Sequence, residues 1–271
     1  TDVTDIELTG ILLGDINGNY VDFLPEPEQL IEGYVFQNGP LREAMVYLDN
    51  NANGIHDPDE IFTFTDSAGK YVLNSPQYIA SINVVTKEST VDVATGSIAP
   101  NLWLSAPVGA SVVSIFTTIL NTSNMNNEEL LSVFDMDQGI DLLDYSHHFD
   151  DLVDQAVVSA KASALLLNTI TTFSNVLSSL NIPSNEGFLI SLSSVADVLT
   201  ETAMANGQID FTEAATITNI QQNIMADIAE VIMEGSQDIP NIDVIQTALD
   251  SALPSLLASN EVIDISTIDI L

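Results

Sequence analysis

The chain has 271 residues and carries 39 acidic against 4 basic side chains, which gives a formal net charge of −35 at pH 7. A charge of this sign repels polyanions, so the composition excludes a nucleic-acid-binding protein. The hydrophobic fraction of 46% is too high for a disordered acidic tail, because so much apolar surface offsets the entropy lost on folding. We therefore expect a folded acidic protein with one large domain or two ordinary ones.

Cysteine is absent from the sequence, which excludes disulfides, thiol catalysis and thiolate metal sites. Carboxylates are abundant, whereas the chain has only 3 histidines. A bound metal is therefore expected to be a hard cation, and Ca²⁺ suits oxygen ligands better than zinc or copper does. Calcium use, together with a chain that starts at Thr1 as if a leader had been removed, predicts an extracellular or cell-surface protein. An expressed fragment would begin in the same way.

The first part of the chain, to about residue 97, has the pattern of strands and turns. Short runs rich in Val, Ile, Tyr and Phe are separated by Gly, Pro, Asn and Asp. The predicted strands cover residues 5–13, 32–36, 44–48, 61–65, 70–73 and 79–85. In the third of them, Val46 and Leu48 should face one way and Tyr47 the other. We predict an N-terminal strand and linker over residues 1–30 and a β-sandwich over residues 31–100.

From Pro107 onward, apolar residues recur at spacings of three and four, which predicts helices. A short helix should begin at Asn126 or Asn127, with acids in its first turn. Longer helices are predicted over residues 149–180, from residue 184 to a stop at Asn206 and Gly207, over residues 210–234 and over residues 242–257. Asp210 and Glu213 form the predicted capping pair of the third. Residues 101–260 should therefore form an α-helical bundle.

The last ten residues return to a strand composition rich in Val and Ile. We therefore predict a C-terminal β-strand over residues 261–271, and the expected fold class is α+β. Two weakly charged stretches, residues 94–127 and 162–185, are interrupted by proline or by clustered polar side chains. Neither has the pattern of a membrane span.

The strongest motif is the run of residues 49–60. Side-chain oxygens stand at its positions one, three, five, nine and twelve, which are Asp49, Asn51, Asn53, Asp57 and Glu60. Gly54 occupies position six, where a calcium loop turns sharply, and Ile55 at position seven offers its carbonyl oxygen. The spacing predicts a Ca²⁺ site on these residues. The alternative is an Asx-rich turn that holds no ion.

The flanks of this loop are predicted strands, so the loop does not belong to an EF-hand. The surrounding runs are GYVF at 33–36, AMVYLD at 44–49 and TDSAGKY at 65–71. Together with the loop, they resemble the calcium-binding B-type repeats of bacterial surface adhesins. The resemblance covers about residues 30–95 and implies a prealbumin-like (Ig-like) β-sandwich, stiffened by calcium, in a structural module of secreted or cell-surface proteins. The ligand positions that it implies are Asp49, Asn51, Asn53, Asp57 and Glu60. Asp66 would join a neighbouring shell.

A second resemblance concerns the run LSAPVGASVVS at 104–114 and the segment 135–145. These look like a helical segment that often follows such β-modules in large secreted proteins of marine bacteria. The resemblance implies an architecture and no enzymatic role.

A weaker calcium motif precedes the predicted sandwich. The run DINGN at 15–19, with Glu26 at the twelfth position, resembles half of a dockerin calcium loop. Tyr20 replaces the glycine, and Pro25 and Pro27 disfavour the helix that should follow. A plain Asn-Gly turn is the alternative.

Two further acidic segments are weaker candidates. Residues 206–213 match the back half of an EF loop, but Thr202 and Met204 occupy its first and third positions, which favours a helix–turn–helix. A group of four aspartates around Gly139 could bind an ion, although a solvated acidic turn is the favoured interpretation. Its members are Asp135, Asp137, Asp141 and Asp144.

No catalytic constellation stands out in the sequence. There is no Gly-x-Ser-x-Gly elbow for a Ser/His/Asp triad, and the adjacent His147 and His148 would point about 100° apart on a helix. The Asp57–Pro58 bond resembles a point of self-cleavage in some secreted calcium modules, but no neighbouring group would activate the carboxylate. A carboxylate pair is left open by the number of acids. Trp103 is expected at the seam between the two parts rather than in a sugar-stacking platform. We predict that the protein is not an enzyme.

The leading hypothesis is a non-catalytic, extracellular, calcium-stabilised adhesin or matrix subunit. Bound Ca²⁺ would reduce the self-repulsion of the acidic chain. Apolar residues near the two ends could complete a sheet within the chain or in the next copy, and the second case gives a filament through self-association. Other surface proteins are the alternative partners. The alternative function is an accessory module, dockerin-like or glycan-binding, of a secreted polysaccharide-degrading enzyme.

Overall fold

The computed structural model describes residues 29–75, 80–99, 101–144, 153–233 and 241–266, and these form strands followed by helices. The strands are β1 Gln29–Val35, β2 Leu41–Arg42, β3 Met45–Asp49, β4 Phe62–Phe64, β5 Lys70–Ser75, β6 Ser81–Val85, β7 Val91–Asp92, β8 Trp103–Ala106 and β9 Val112–Val113. The helices are α1 Ile115–Thr122, α2 Asn127–Val133, α3 Val153–Ser179, α4 Ser184–Met204, α5 Ala214–Met233 and α6 Ile242–Ser266. The predicted α+β class is confirmed. The predicted strand over residues 5–13, the dockerin-like segment 15–26 and the pair His147 and His148 lie outside the described residues.

An antiparallel sheet contains β4, β3, β6 and β8 in that order. Val46 and Leu48 point to the side that joins the hydrophobic core, and Tyr47 points to the other side, as the alternation predicts. The register places Tyr47 opposite Asn83 of β6, and Asn83 opposite Ser105 of β8. These three polar residues therefore form a row across one face of the sheet. All three are buried, so both faces of the sheet are covered.

A second sheet contains β5, β1 and β9, and β2 pairs separately with β7. β1 runs antiparallel to β5 and parallel to β9. Gly33 of β1 lies beneath the Tyr71 ring, where a Cβ atom would stand 2.4 Å from Tyr71 Oη and 2.7 Å from the carbonyl oxygen of Ser111. This close approach requires glycine.

Side-chain caps begin the first two helices. Ser114 separates β9 from α1, and its Oγ accepts a hydrogen bond from Thr117 N at 3.3 Å while its own N–H donates to Thr117 Oγ1 at 2.9 Å. Asn126 caps α2, as predicted: its Oδ1 accepts from Glu129 N at 3.0 Å, and its N–H donates to Glu129 Oε2 at 2.9 Å. These reciprocal bonds satisfy donors that a helix start would leave unpaired.

The four long helices pack against one another. α3 contacts α4 and α6, and α5 contacts the same two helices. Their apolar stripes are buried, with Phe173 of α3, Phe188 of α4 and Ile224 of α5 shielded from solvent. α4 ends where predicted, because Asn206 takes a left-handed conformation with φ of 52°. These contacts account for the helical periodicity of the sequence.

Two predicted boundaries are wrong. β8 and β9 lie beyond residue 100, inside the range predicted for the helical bundle, so the first helix begins at Ile115 rather than near Pro107. α5 begins at Ala214, after a turn in which Asp210 Oδ1 accepts hydrogen bonds from the N–H and the hydroxyl of Thr212 at 2.8 and 2.6 Å. The Asp210 carboxylate stabilises that turn instead of forming a capping pair with Glu213.

The predicted C-terminal strand is also wrong where the structure describes it. α6 continues to Ser266, through the first six of residues 261–271. Leu249, Leu256 and Asn260 are buried and Ile263 packs against the core, so spacings of three and four persist along the helix. Lys161 of α3 forms an ion pair with Asp264 near its end. Packing along one helical face overrides the β-branched composition.

The strands and helices share a continuous hydrophobic core that extends from Ile31 to Leu256. The Trp103 ring of β8 lies 5.7 Å from the Phe188 ring of α4, measured between centroids. This contact confirms the predicted position of Trp103 at the seam. None of the helices within the described part of the chain is both long enough and apolar enough to cross a membrane.

Candidate metal centre

The predicted calcium loop connects two neighbouring strands of the four-stranded sheet. β3 ends at Asp49 and β4 begins at Phe62. Ala52 and Gly54 adopt positive φ angles of 57° and 73°, and these left-handed residues reverse the chain within a few positions. The sharp turn predicted at Gly54 is therefore present.

Asp49 lies at the base of the loop with a side chain that is 4% exposed. Its Oδ1 accepts a hydrogen bond from Asn53 N at 3.1 Å, and its Oδ2 accepts from Gly54 N at 2.8 Å. Oδ2 also accepts from Asn83 Nδ2 of β6 at 2.7 Å. The first predicted ligand is thus held in place by its own loop and by the neighbouring strand.

Glu60 closes the loop from its other end and is 6% exposed. Its Oε1 accepts a hydrogen bond from Asn50 N at 2.8 Å, and its Oε2 accepts from Asp57 N at 3.0 Å. A carboxylate offers about four lone-pair sites, so each of these oxygens retains a free one.

The three intervening side chains converge on one oxygen atom. Asn51 Nδ2 and Asn53 Nδ2 donate to Asp57 Oδ2 at 2.7 and 2.9 Å. The amide oxygens of the two asparagines accept from Asn53 N at 3.1 Å and from Ile55 N at 2.7 Å. The Ile55 side chain is exposed. All six predicted site residues are therefore brought into one hydrogen-bonded loop.

The donor set of this loop is made of oxygen atoms, which hard cations prefer. Two of its five side chains are amides. The carboxylates of Asp49 and Glu60 accept from backbone N–H groups, and that of Asp57 accepts from the two side-chain amides. No cluster of three or more His, Cys, Asp or Glu side chains that could hold a metal ion occurs among the described residues. Ca²⁺ would therefore depend on the amide oxygens and on the Ile55 carbonyl in addition to the three carboxylates, and those groups fit it chemically.

No protein-family model, curated protein or solved structure matches this chain.

Three further residues, His56 within the loop and Tyr47 and Asn83 beside it, were not predicted as part of the site. The Tyr47 hydroxyl donates to the carbonyl oxygen of Gly54 at 2.9 Å. Burial raises the pKa of Tyr47 to about 12, an effect that Asn83 opposes and that the negative charges of the loop reinforce. The His56 ring stands edge-on to Tyr47 and Phe62, with centroids 5.4 and 4.9 Å away. Asn83 lies on the adjacent strand β6 but is distant in sequence, and its only sequence signal is a polar residue within an apolar run.

The weaker candidates have local roles in turns. Asp66 Oδ1 accepts from Ala68 N at 2.8 Å and from Lys70 N at 2.9 Å, so its carboxylate stabilises the turn between β4 and β5. Asp137 Oδ1 accepts from Gly139 N at 2.7 Å, and Asp141 Oδ1 accepts from Leu143 N at 2.9 Å, in successive turns. These are the Asx turns that such residues favour.

Proposed function

We propose that this chain is a non-catalytic, extracellular structural or adhesive protein whose strand-rich part is stabilised by Ca²⁺. The ion would be held by residues of the loop at 49–60. Its ligands would be the side chains of Asp49, Asn51, Asn53, Asp57 and Glu60 and the carbonyl oxygen of Ile55.

The observation that carries this proposal is the burial of two carboxylates without a cation. Asp49 and Glu60 are 4% and 6% exposed, and none of the ion pairs formed among the described side chains includes either of them. Hydrogen bonds from N–H groups satisfy the oxygens but leave two negative charges in a poorly solvated place, which is costly. A divalent cation supplies the missing charge.

The sandwich architecture and the assembly mode are part of the same proposal. Both sheets contribute side chains to the shared core, which supports the prealbumin-like sandwich. β4 is one of the two edge strands of its sheet, and Phe62 and Phe64 on it are 50% and 51% exposed. An exposed apolar edge strand is a template for pairing with another chain. The alternating apolar residues at 5–13 of the next copy would supply the added strand.

Calorimetric titration with CaCl₂ tests the ion. We expect saturable binding by the wild type and loss of the tightest site in an Asp49→Asn variant, which keeps the side-chain volume but removes the charge. An Asp59→Asn variant removes the same charge from an exposed position of the loop that is not a predicted ligand, and it should bind as the wild type does. Equal heats for all three proteins, or no binding by the wild type, would remove calcium from the proposal.

Electron microscopy tests the assembly. Filaments are expected in calcium and fewer in a chelator, because calcium holds the loop that precedes β4. A Phe62→Lys/Phe64→Lys variant places charges on the edge strand and should abolish filaments, whereas Leu30→Lys, at an exposed position of β1, should not. Monomers of the wild type in calcium would contradict self-association and favour the accessory-module alternative.

A further inference from the structure

A cavity of about 360 Å³ lies between the four-stranded sheet and the helices α1 and α4. Its floor is the sheet face that carries Tyr47, and its sides are formed by the base of the calcium loop, by the end of α1 and by the start of α4. The lining residues that matter here are Asp49, Asn83, Trp103, Ser105, Asn121 and Leu189. The volume is far above the roughly 30 Å³ that one water molecule occupies and falls within the range of small-molecule sites.

The cavity floor is polar because of the strand register. Tyr47, Asn83 and Ser105 are direct neighbours across β3, β6 and β8 and therefore share a face. Trp103 stands two residues before Ser105 on the same face of β8. On the α1 side, Asn121 Nδ2 donates to Ser105 Oγ at 3.0 Å. Hydroxyl and amide groups thus line the cavity next to an indole ring.

One buried acceptor in this wall has no donor. Asn83 is 8% exposed, and its Oδ1 has no hydrogen-bond partner among the described residues. Exchanging the oxygen and nitrogen positions of the Asn83 amide would not provide a donor for the oxygen without losing another bond. Asn83 Nδ2 donates to Asp49 Oδ2 at 2.7 Å, and an ionised carboxylate only accepts. A buried amide oxygen without a donor is costly, and such groups in native proteins call for an explanation.

The chemistry of the wall specifies the ligand class. None of the described lining residues is Lys or Arg, and Asp49 is an acceptor with a negative charge, so an anionic ligand is excluded. Asn83 Oδ1 needs a donor such as a hydroxyl group, and the Trp103 ring offers an apolar surface for a flat molecule. A neutral molecule with many hydroxyl groups and one apolar face satisfies all of these groups.

We propose that this cavity binds a neutral sugar, of one or two rings, with a ring face on Trp103 and hydroxyl groups on Asn83 and Asn121. The site goes beyond calcium stabilisation and gives the adhesive protein a carbohydrate ligand. Asp49 belongs to both sites, so calcium is expected to modulate sugar affinity without being the binding contact.

The test uses the full chain at constant, saturating calcium and the indole N–H signal of Trp103, which is unique because the sequence has 1 tryptophan. The probes are glucose, galactose, N-acetylglucosamine and cellobiose, with glucosamine and glucuronate as charged controls. We expect a saturable shift with at least one neutral sugar. Asn83→Ala and Asn121→Ala should each weaken that affinity by about ten-fold, the effect of one lost hydrogen bond. Asn219→Ala, at an exposed position of α5, should leave it unchanged.

Asn121 is exposed on α1, so its replacement tests the site even if Asn83→Ala fails to fold. The proposal is overturned if no neutral sugar shifts the indole signal, if glucosamine alone binds, or if the Asn121→Ala and Asn219→Ala variants retain equal affinity. Calcium binding measured on the same samples separates this result from the calcium proposal, since either can fail while the other stands.

Discussion

A Glu60→Gln variant tests the calcium loop most directly, because the replacement preserves the size of a buried side chain. In the wild type, the two oxygens of Glu60 accept from Asn50 N and Asp57 N. Glutamine keeps one oxygen and turns an NH₂ group toward the other backbone N–H. One hydrogen bond is lost and one buried donor is left unpaired, which costs about 1–3 kcal/mol in the absence of calcium.

Calcium adds a second, separable contribution. At a hundred times its dissociation constant, an ion that binds only the folded state stabilises it by about 2.7 kcal/mol. For a chain of this size, each kcal/mol shifts Tm by about 2–4 °C, so calcium should raise the Tm of the wild type by about 5–10 °C. Glu60→Gln lacks the charge and one ligand oxygen of the twelfth position, and its Tm should respond little to calcium.

The assay is thermal unfolding of both proteins in calcium and in chelator. Asp59→Asn is the matched control, because Asp59 is exposed in the same loop and is not a predicted ligand. The Tm of Asp59→Asn should rise in calcium by as much as the Tm of the wild type does. An equal calcium-dependent rise in Tm for wild type and Glu60→Gln, or no rise in either, would refute the assignment of Glu60 to the ion.

Two further predictions concern the rest of the fold. Burial raises the pKa of the Asp227 carboxyl above its ordinary value of 3.8. Ionisation of this carboxyl therefore destabilises the folded state at neutral pH, and this destabilisation disappears when the pH falls below the ordinary pKa, where the carboxyl is protonated in both states. The free energy of unfolding of Asp227→Asn, measured in urea at pH 7, should therefore exceed that of the wild type by at most about 0.5 kcal/mol. The difference should vanish at pH 3, and a difference that grows in acid would contradict the raised pKa. Gly33→Ala places a Cβ atom 2.7 Å from the Ser111 carbonyl oxygen and should lower the free energy of unfolding by about 1–3 kcal/mol. Its control is Gly139→Ala, where the nearest atom is Asp137 Oδ1 at 3.1 Å, and equal urea midpoints would show that β1 adjusts.

Several helix ends could be predicted from the sequence because their signals are local. Asn126 and Glu129 stand at the spacing of a capping box, and the structure shows both of its hydrogen bonds. Asn206 marks the end of α4 because asparagine tolerates the left-handed conformation. β8 was missed because a short apolar run such as residues 103–106 fits a strand and a buried helix turn equally well.

The end of α6 could not be predicted because its core-facing stripe contains a polar residue. Asn260 is fully buried, and it accepts from Asn168 Nδ2 at 2.7 Å and donates to Thr169 Oγ1 at 3.3 Å and to the carbonyl oxygen of Phe211 at 2.9 Å. These partners lie on α3 and on the turn before α5, far away in sequence. Without them, asparagine at that position indicates a helix end.

The spacing of oxygen side chains predicted the members of the loop, and the structure places them together. It could not predict Asn83, because the register that puts β6 beside β3 is a tertiary feature. The sequence predicted Trp103 at the seam rather than in a sugar-stacking platform, whereas the proposed sugar site depends on this one indole ring, which the register places beside a buried amide.

The single residue between β9 and α1 has a mechanical consequence. Val113 is hydrogen-bonded into the sheet, Ile115 begins the helix, and both reciprocal bonds of the Ser114 cap hold the intervening peptide. Hinge motion needs several residues whose backbone torsion angles can change. The junction at Ser114 is a single residue whose backbone is fixed by the cap. A pulling force applied to the strands would therefore be transmitted directly to the helices.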